Sequence, residues 1–364
     1  MQPIGIYLHI PFCRSKCAYC DFYSFPAREG QMELYTDRLC RDLQDWGARL
    51  GRPADTLYIG GGTPSLLGGE RIARLVRAAR AAFGDAMREI TLEANPADDL
   101  RETLRRAAAA GVNRLSLGVQ SGVEAELAAL SRRHKNADVL RTVEAAKKAG
   151  IKNLSLDLML GIPGQTADSM LRSIDFLCGM EPSHISAYLL KIEPGTPFAK
   201  HTPEGLPDGD QAAGLYLSCV EALAQRGFAQ YEISNFAKEG RASRHNLKYW
   251  RGEDYLGLGP AAHSLVDRRR FYFPRDLAAY MAGKPPVADG DGGGEEEYIL
   301  LRLRLTEGIR FADYAARFGH PFPDGLRKKL VRLADGGYLR LWEEGFSLTP
   351  QGFLVSNAIL AELI

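Results

Sequence analysis

The sequence predicts an α/β protein: a partial (β/α)6 TIM-like barrel followed by a smaller α+β, winged-helix-like domain. Three observations predict it. Strand-like and helix-like segments alternate six times before residue 230, which implies parallel strands joined by crossover helices. Polar or glycine-rich motifs fall at the C-terminal ends of those strands, the face where barrels gather their functional groups. Beyond residue 295 the pattern turns to helix, helix and hairpin. Six units are too few to close an eight-stranded barrel, so the sheet should stay open. A doubly wound sheet is the structural alternative.

Ile4–Ile10 reads as the first strand. Gln31–Leu50 reads as a helix because Tyr35, Leu39, Leu43, Trp46 and Leu50 recur at steps of four, four, three and four, making one apolar face. Asp55–Gly60 and Glu70–Phe83 form the second unit. Glu89–Glu93 and Asp98–Ala110 form the third, with Gly111 placed as a C-cap. Asn113–Val119 is the fourth strand, with helical stretches up to Gly150. Asn153–Leu160 with Thr166–Cys178, and His184–Leu190 with Asp210–Gly227, complete six units. Lys284-Pro-Pro and Asp289-Gly-Asp-Gly-Gly-Gly read as linker or exposed loop. A helix from Glu295, a helix over Leu326–Asp335, a hairpin Tyr338–Leu348 turning at Glu344-Gly345 and a helix from Pro350 end the chain. The expected divisions are a barrel over 1–230, a connecting region over 231–294 and the small domain over 295–364.

The chain has 364 residues, 45% of them hydrophobic, enough for a large core. Its formal charge of +1 gives no global field for nucleic acid or anionic lipid. Arg327, Lys328, Lys329 and Arg332 cluster on one helix but are flanked by acidic residues, so a solvated helix face is favoured over DNA binding. No run of eighteen apolar residues suggests a membrane span. The first residues lack the basic leader and apolar core of a signal peptide. A reduced cytoplasmic setting is expected, with at most peripheral association with a membrane.

Cys13, Cys17 and Cys20 are spaced C-x3-C-x2-C on a polar loop beside Arg14, Lys16 and Asp21. Three thiolates at that spacing can hold three irons of a [4Fe–4S] cube and leave the fourth open to a small molecule. A structural zinc site would want a second pair of ligands, which is missing. A disulfide is disfavoured in a chain with few cysteines and no leader. Cys40, Cys178 and Cys219 share apolar helical faces and read as packing.

Further along, Gly60, Gly61 and Gly62 follow a strand and lack the Cβ atoms that would keep a ligand off the backbone. Glu93 ends an apolar strand, and Asp157 interrupts the run Leu154-Ser-Leu-Asp-Leu-Met-Leu. A buried carboxylate needs a partner, either Arg132 or a ligand.

The ordered motifs carry a family resemblance. Tyr7-Leu-His-Ile-Pro-Phe-Cys, Cys17-Ala-Tyr-Cys-Asp-Phe, Gly60-Gly-Gly-Thr-Pro-Ser, Glu93-Ala-Asn-Pro, Leu115-Ser-Leu-Gly-Val-Gln-Ser, Asp157-Leu-Met-Leu-Gly-Ile-Pro-Gly-Gln and His245-Asn-Leu-Lys-Tyr-Trp span nearly the whole chain. Together they resemble the oxygen-independent coproporphyrinogen oxidase family of radical S-adenosylmethionine proteins. The resemblance implies that Cys13, Cys17 and Cys20 bind a [4Fe–4S] cluster. It implies that Tyr7, Gly61, Gly62, Thr63, Glu93, Gln120, Arg132 and Asp157 line the S-adenosylmethionine site, with Tyr19 as an aromatic neighbour.

The oxidase branch of that family decarboxylates coproporphyrinogen, and its motif resembles C-x3-C-x2-C-x-C after an N-terminal extension. Here Phe22 occupies the last position and six residues precede Tyr7. Both departures match the heme-chaperone branch, which implies bound heme, apo-hemoproteins of the respiratory chain as recipients and an electron donor, as a monomer or homodimer. A radical methyltransferase with a second S-adenosylmethionine is a further alternative. A heme site wants an axial ligand, an apolar wall and cations. His245 in the segment Arg244–Trp250 is the heme candidate and His263 a weaker one; a histidine hydrogen-bonded in a connecting loop is the competing reading.

Overall fold

The computed structural model describes residues 2–364. Its strands are β1 (Ile4–Ile10), β2 (Ala54–Gly61), β3 (Glu89–Ala94), β4 (Arg114–Gln120), β5 (Asn153–Leu160), β6 (His184–Leu189), β7 (Ala229–Glu232), β8 (Asn235–Ala237), β9 (Tyr255–Leu258), β10 (His263–Val266), β11 (Arg269–Tyr272) and β12 (Val287–Asp291). They form one twelve-stranded sheet in the order β12-β11-β10-β9-β1-β2-β3-β4-β5-β6-β8-β7. The first six strands pair in parallel and in sequence order. A strand order with no reversal, joined by right-handed crossovers, keeps every helix on one face and curls the sheet toward a barrel. This rules out the doubly wound alternative.

The outer layer carries α1 (Gln31–Leu50), α2 (Gly68–Phe83), α3 (Arg101–Ala110), α4 (Glu124–Ala129), α5 (Asn136–Lys148), α6 (Ala167–Cys178), α7 (Pro197–Lys200) and α8 (Gly209–Gln225). Gly111, at φ 113°, caps α3 as expected, although the helix starts at Arg101 rather than Asp98. Alternation along each strand separates two environments. Ile4, Ile6, Leu8 and Ile10, with Leu57, Ile59, Ile90, Leu92, Leu115 and Leu117, belong to the apolar core shared with the helices. Burying each such side chain contributes about 1.5–3 kcal/mol. The opposite set faces the barrel interior and is polar: Tyr7 and His9, Thr56 and Tyr58, Thr91 and Glu93, Arg114 and Ser116, Ser155 and Asp157, His184 and Ser186. Cys219 is buried in the core, Cys40 and Cys178 pack against it, and all three are free thiols.

Residues 231–294 are not merely a connection. β7 and β8 pair across the boundary expected at residue 230 and extend the sheet beyond β6. On the other side β9 pairs in parallel with β1, adding a seventh parallel strand. β10, β11 and β12 continue antiparallel. The segment expected as an exposed loop at Asp289 lies partly in β12, an edge strand whose five residues are all exposed. Two helices complete this region, α9 (Arg244–Arg251) and α10 (Leu277–Met281).

The small domain holds α11 (Glu295–Arg302), β13 (Ile309–Arg310), α12 (Phe311–Phe318), α13 (Asp324–Asp335), β14 (Leu339–Trp342), β15 (Gly345–Leu348), α14 (Pro350–Leu354) and α15 (Ser356–Leu363). Its three strands form an antiparallel sheet, β13-β15-β14. The hairpin turns at Glu343-Glu344, one residue earlier than the sequence suggests. No helix among the described residues is long and apolar enough to cross a membrane.

Candidate cofactor-binding site

At the C-terminal mouth of the barrel lies a cavity of about 300 Å³. Its wall brings together Cys13, Cys17, Tyr19, Cys20, Gly61, Gly62, Thr63, Glu93, Gln120, Arg132 and Asp157. These residues come from the loop after β1, from β2 and the two residues that follow it, from β3, β4 and β5, and, for Arg132, from the segment after α4. Of the residues expected at an S-adenosylmethionine site, Tyr7 alone is absent from this wall. It sits one layer deeper, where its hydroxyl reaches Nδ1 of His9 at 3.0 Å. Nε2 of His9 meets the Tyr23 carbonyl at 3.0 Å. A carbonyl only accepts, so Nε2 carries the proton and Nδ1 accepts from Tyr7. Burial holds the His9 pKa below the ordinary value, consistent with this neutral tautomer.

The three cysteines sit on a loop pinned to the barrel by backbone bonds. Cys13 N–H donates to Phe25 O at 3.0 Å, and Phe25 N–H donates to Pro11 O at 3.0 Å. The Cys13 thiol donates to Ser15 O at 3.0 Å and lies 3.2 Å from Thr63 Oγ1. Cys20 N–H donates to Cys17 O at 3.2 Å, and burial pushes the Cys20 thiol pKa up. Phe198 of α7 donates its N–H to Ala18 O at 3.0 Å and belongs to a small apolar cluster against which Ala18 and Tyr19 pack. Among the described residues no three His, Cys, Asp or Glu side chains converge as a single metal ion would need. The three thiols instead face a shared cavity, a donor set that fits an iron–sulfur cluster.

Two glycines of the run, Gly61 and Gly62, line the cavity, and the run also makes room for protein neighbours. A Cβ on Gly60 would stand 2.8 Å from Tyr58 Cε1 and 3.1 Å from the Glu93 carboxylate. On Gly61, at φ +114°, it would stand 2.8 Å from the His9 ring. On Gly62 it would stand 2.6 Å from Phe12 O. Each glycine therefore makes room first for a protein neighbour. The run also zips the cysteine loop to β2: Gly62 N–H donates to Ile10 O at 2.8 Å and Thr63 N–H to Phe12 O at 2.7 Å.

Glu93 accepts from Tyr58 Oη at 2.7 Å and from Gly61 N–H at 2.9 Å. Burial raises its pKa and these two donors oppose the rise. Asp157 is pushed up to about 7, first by burial and then by the Glu93 charge. Its contact from Ser116 Oγ is long, 3.5 Å. Arg132, considered as its partner, donates instead to Gly118 O at 2.6 Å and to Cys17 Sγ at 3.4 Å. Arg132 Nε is buried without a hydrogen-bond partner among the described residues. Gln120 adopts φ 73° at a register shift between β4 and β5, a left-handed conformation costly for a residue with a Cβ.

One supporting group was not anticipated. Glu126, buried on α4, accepts from Ser121 Oγ at 2.6 Å, Ser169 Oγ at 2.5 Å and Gln165 Nε2 at 3.3 Å. Gln165 also accepts from Gly161 N–H at 2.7 Å. The hub ties the strained turn after β4 to the Gly-Ile-Pro-Gly-Gln turn after β5. The Gln in that last motif was the available signal; the Glu126 partner follows only from the fold.

His245 needs a correction. It lies on α9 at the opposite, N-terminal end of the barrel, with 0% of its surface exposed. Nδ1 pairs with Thr56 Oγ1 at 2.8 Å and Nε2 with Tyr249 Oη at 2.7 Å. Burial depresses its pKa to about 3. Both ring nitrogens are engaged, so this arrangement offers heme no axial ligand from His245; the hydrogen-bonded reading is the one observed. Glu89 anchors the helix, accepting from the N–H groups of Arg244 and His245 at 3.1 and 3.0 Å. Lys248 of the same helix is buried against Asp55 at 3.0 Å and Glu253 at 3.1 Å. His263 is exposed, stacked on Tyr272.

Residues 7–177 match the Radical SAM superfamily, and residues 296–355 match the HemN C-terminal domain. The heme chaperone HemW of Escherichia coli is 36% identical, with 99% of this chain and 98% of that protein covered. The heme chaperone HemW of Bacillus subtilis is 35% identical, with 98% of each covered. The mouse mitochondrial radical S-adenosyl methionine domain-containing protein 1 is 36% identical over 93% of this chain and 71% of its own length. The solved Escherichia coli coproporphyrinogen III oxidase HemN, a radical SAM enzyme, superposes with TM-score 0.85 at 22% identity, covering 99% of this chain and 89% of that one. At that identity the match speaks for the fold. The chain belongs to the HemW family of radical SAM proteins, within the oxygen-independent coproporphyrinogen III oxidase-like group.

Proposed function

We propose that this chain is a heme chaperone that binds a [4Fe–4S] cluster through Cys13, Cys17 and Cys20 and S-adenosylmethionine in the adjoining cavity, and that it passes heme to apo-proteins of the respiratory chain. The observation that carries the reading is the convergence of three thiols, a glycine-lined strand end and two buried carboxylates on one cavity. When bound, the cluster and its ligand supply one-electron cleavage chemistry that side chains cannot. The chain's own residues orient and shelter the ligand. Glu93 and Asp157 offer acceptors, Gln120 offers an amide, and Arg132 braces a cluster thiol. Tyr19 supplies an aromatic wall.

Phe22 supports the chaperone over the oxidase. It stands where the oxidase pattern has a fourth cysteine, and it is 58% exposed on the cavity rim. Tyr188 and Leu189, also exposed, end β6, and Tyr188 and Lys16 line the same cavity. An apolar lip with a nearby cation suits a flat, anionic porphyrin. Hemin titration of anaerobically reconstituted protein tests this. A shifted Soret band, with no protoporphyrinogen formed from coproporphyrinogen, is expected. No shift together with protoporphyrinogen formation would replace the chaperone reading with the oxidase.

A further inference from the structure

We propose that Tyr58 is a positioning residue for S-adenosylmethionine, acting through Glu93; the proposal rests on the reading that Glu93 meets that ligand. Tyr58 lies in the middle of β2, facing the barrel interior below the cavity wall. Its hydroxyl donates to Glu93 Oε1 at 2.7 Å while Gly61 N–H donates to Oε2 at 2.9 Å. Two fixed donors on opposite oxygens set the plane of the carboxylate. Each oxygen keeps lone-pair capacity for a donor from the ligand.

The Tyr58 ring is itself held. Below it lies the His245 ring of α9, centroids 5.3 Å apart, and beside it the Tyr7 ring at 6.1 Å. Above it Gly60 leaves the gap that a Cβ would fill, 2.8 Å from the ring. The buried helix α9 and the first glycine of the run thus support one contact. Neither is explained by direct ligand contact: His245 is at the far end, and Gly60 is not part of the cavity wall.

The charged and titratable groups around Glu93 come from every packed element. Arg114 of β4 favours its ionised form. Asp157 of β5 opposes it as a like charge. Tyr7 of β1 and Tyr249 of α9 have pKa values raised by burial, Tyr188 of β6 is raised as well, by burial first with Asp157 and Glu93 among the further causes, and all three stay neutral. Tyr58 is the side chain that donates directly to the carboxylate. Without its hydroxyl, one oxygen loses its donor and the carboxylate protonates more readily.

The test is calorimetric titration of cluster-reconstituted protein with S-adenosylmethionine between pH 5.5 and 8.5 (~0.5-unit steps, well inside one decade per step). Tyr58→Phe is expected to bind about three- to tenfold more weakly at neutral pH, the loss of one charge-assisted hydrogen bond in part. Its acid limb should also move to higher pH, a shift that a merely structural role would not produce. Tyr216→Phe, which removes a buried hydroxyl bonded to Ile233 O far from the cavity, should leave affinity and limb unchanged. Gly60→Ala displaces the same pair and should shift the limb in the same direction. An unmoved limb in both Tyr58→Phe and Gly60→Ala overturns the proposal. Glu93→Gln separates the two claims: unchanged affinity there would remove the ligand reading of Glu93 instead.

Discussion

Arg132 bridges the cysteine loop and the barrel, donating to Cys17 Sγ at 3.4 Å and to the Gly118 carbonyl at 2.6 Å. A guanidinium donor on a sulfur adds a charge-assisted contact to a thiolate that holds a cluster. Arg132→Leu should therefore lower iron retention after anaerobic reconstitution, on the scale of a charge-assisted bond, about 1.5–3 kcal/mol. Arg132→Lys, with one point charge in place of a fork, should rescue only part. Iron and sulfide counting against dilution checks both.

Gly62 has no room for a side chain, because a Cβ would meet Phe12 O at 2.6 Å and Ile10 O at 3.0 Å. Both neighbours are backbone, so they cannot swing away. Gly62→Ala should cost about 1–3 kcal/mol of stability and loosen the cysteine loop. Gly209→Ala, in the first turn of α8 with nothing within 4 Å, should be neutral or stabilising by up to about 1 kcal/mol. Urea denaturation of the two variants makes the comparison.

Glu126 is a hub for two hydroxyls and an amide. Glu126→Leu strands those donors and should cost about 1–3 kcal/mol. Glu126→Gln keeps an acceptor and should recover most of it. Hydrogen exchange at Gln120–Gly122 should quicken in the leucine variant, since Ser121 loses its anchor.

Asp157 gives stability an unusual pH slope. Its folded-state pKa of about 7 lies above the ordinary carboxylate value of 3.8. The folded chain holds that proton more tightly than the unfolded chain, so the contribution is full below the unfolded pKa and is lost as pH rises through 7. Asp157→Asn does not titrate. It should gain on the wild type between pH 5 and 8 by on the order of 2–4 kcal/mol, read as urea midpoints of ligand-free protein. A constant offset between the two curves would contradict this.

Phe22 should matter to hemin. Phe22→Asp places a negative charge on the exposed lip, and about tenfold weaker binding, roughly 1.4 kcal/mol, is expected by Soret titration. Phe22→Leu should bind nearly as well as the wild type.

The barrel strands were legible because their two faces differ. Leu154-Ser-Leu-Asp-Leu-Met-Leu announces both a strand and an odd charge, and the structure puts Asp157 inside the barrel. The cavity residues were legible because they sit at strand ends, where a polar residue interrupts an apolar run. β9 was not legible: Tyr255–Leu258 spans four residues, too few to show a period, and its parallel partner β1 lies far away in sequence. The same holds for Tyr58, whose alternation says only that it faces inward. Its value comes from meeting Glu93 across two strands. His245 misled because its motif is dense in residues suited to heme, while its burial depends on Glu89 drawing α9 against the strand ends.

With α9 packed against the strand ends at one end of the barrel, the ligands of the proposed function would exchange through the other end in the order of a stack. The molecule lodged deepest would be the last to escape, and anything spread across the opening would detain what lies beneath it. A chaperone built this way would read occupancy by a large flat guest as slower turnover of the small one underneath.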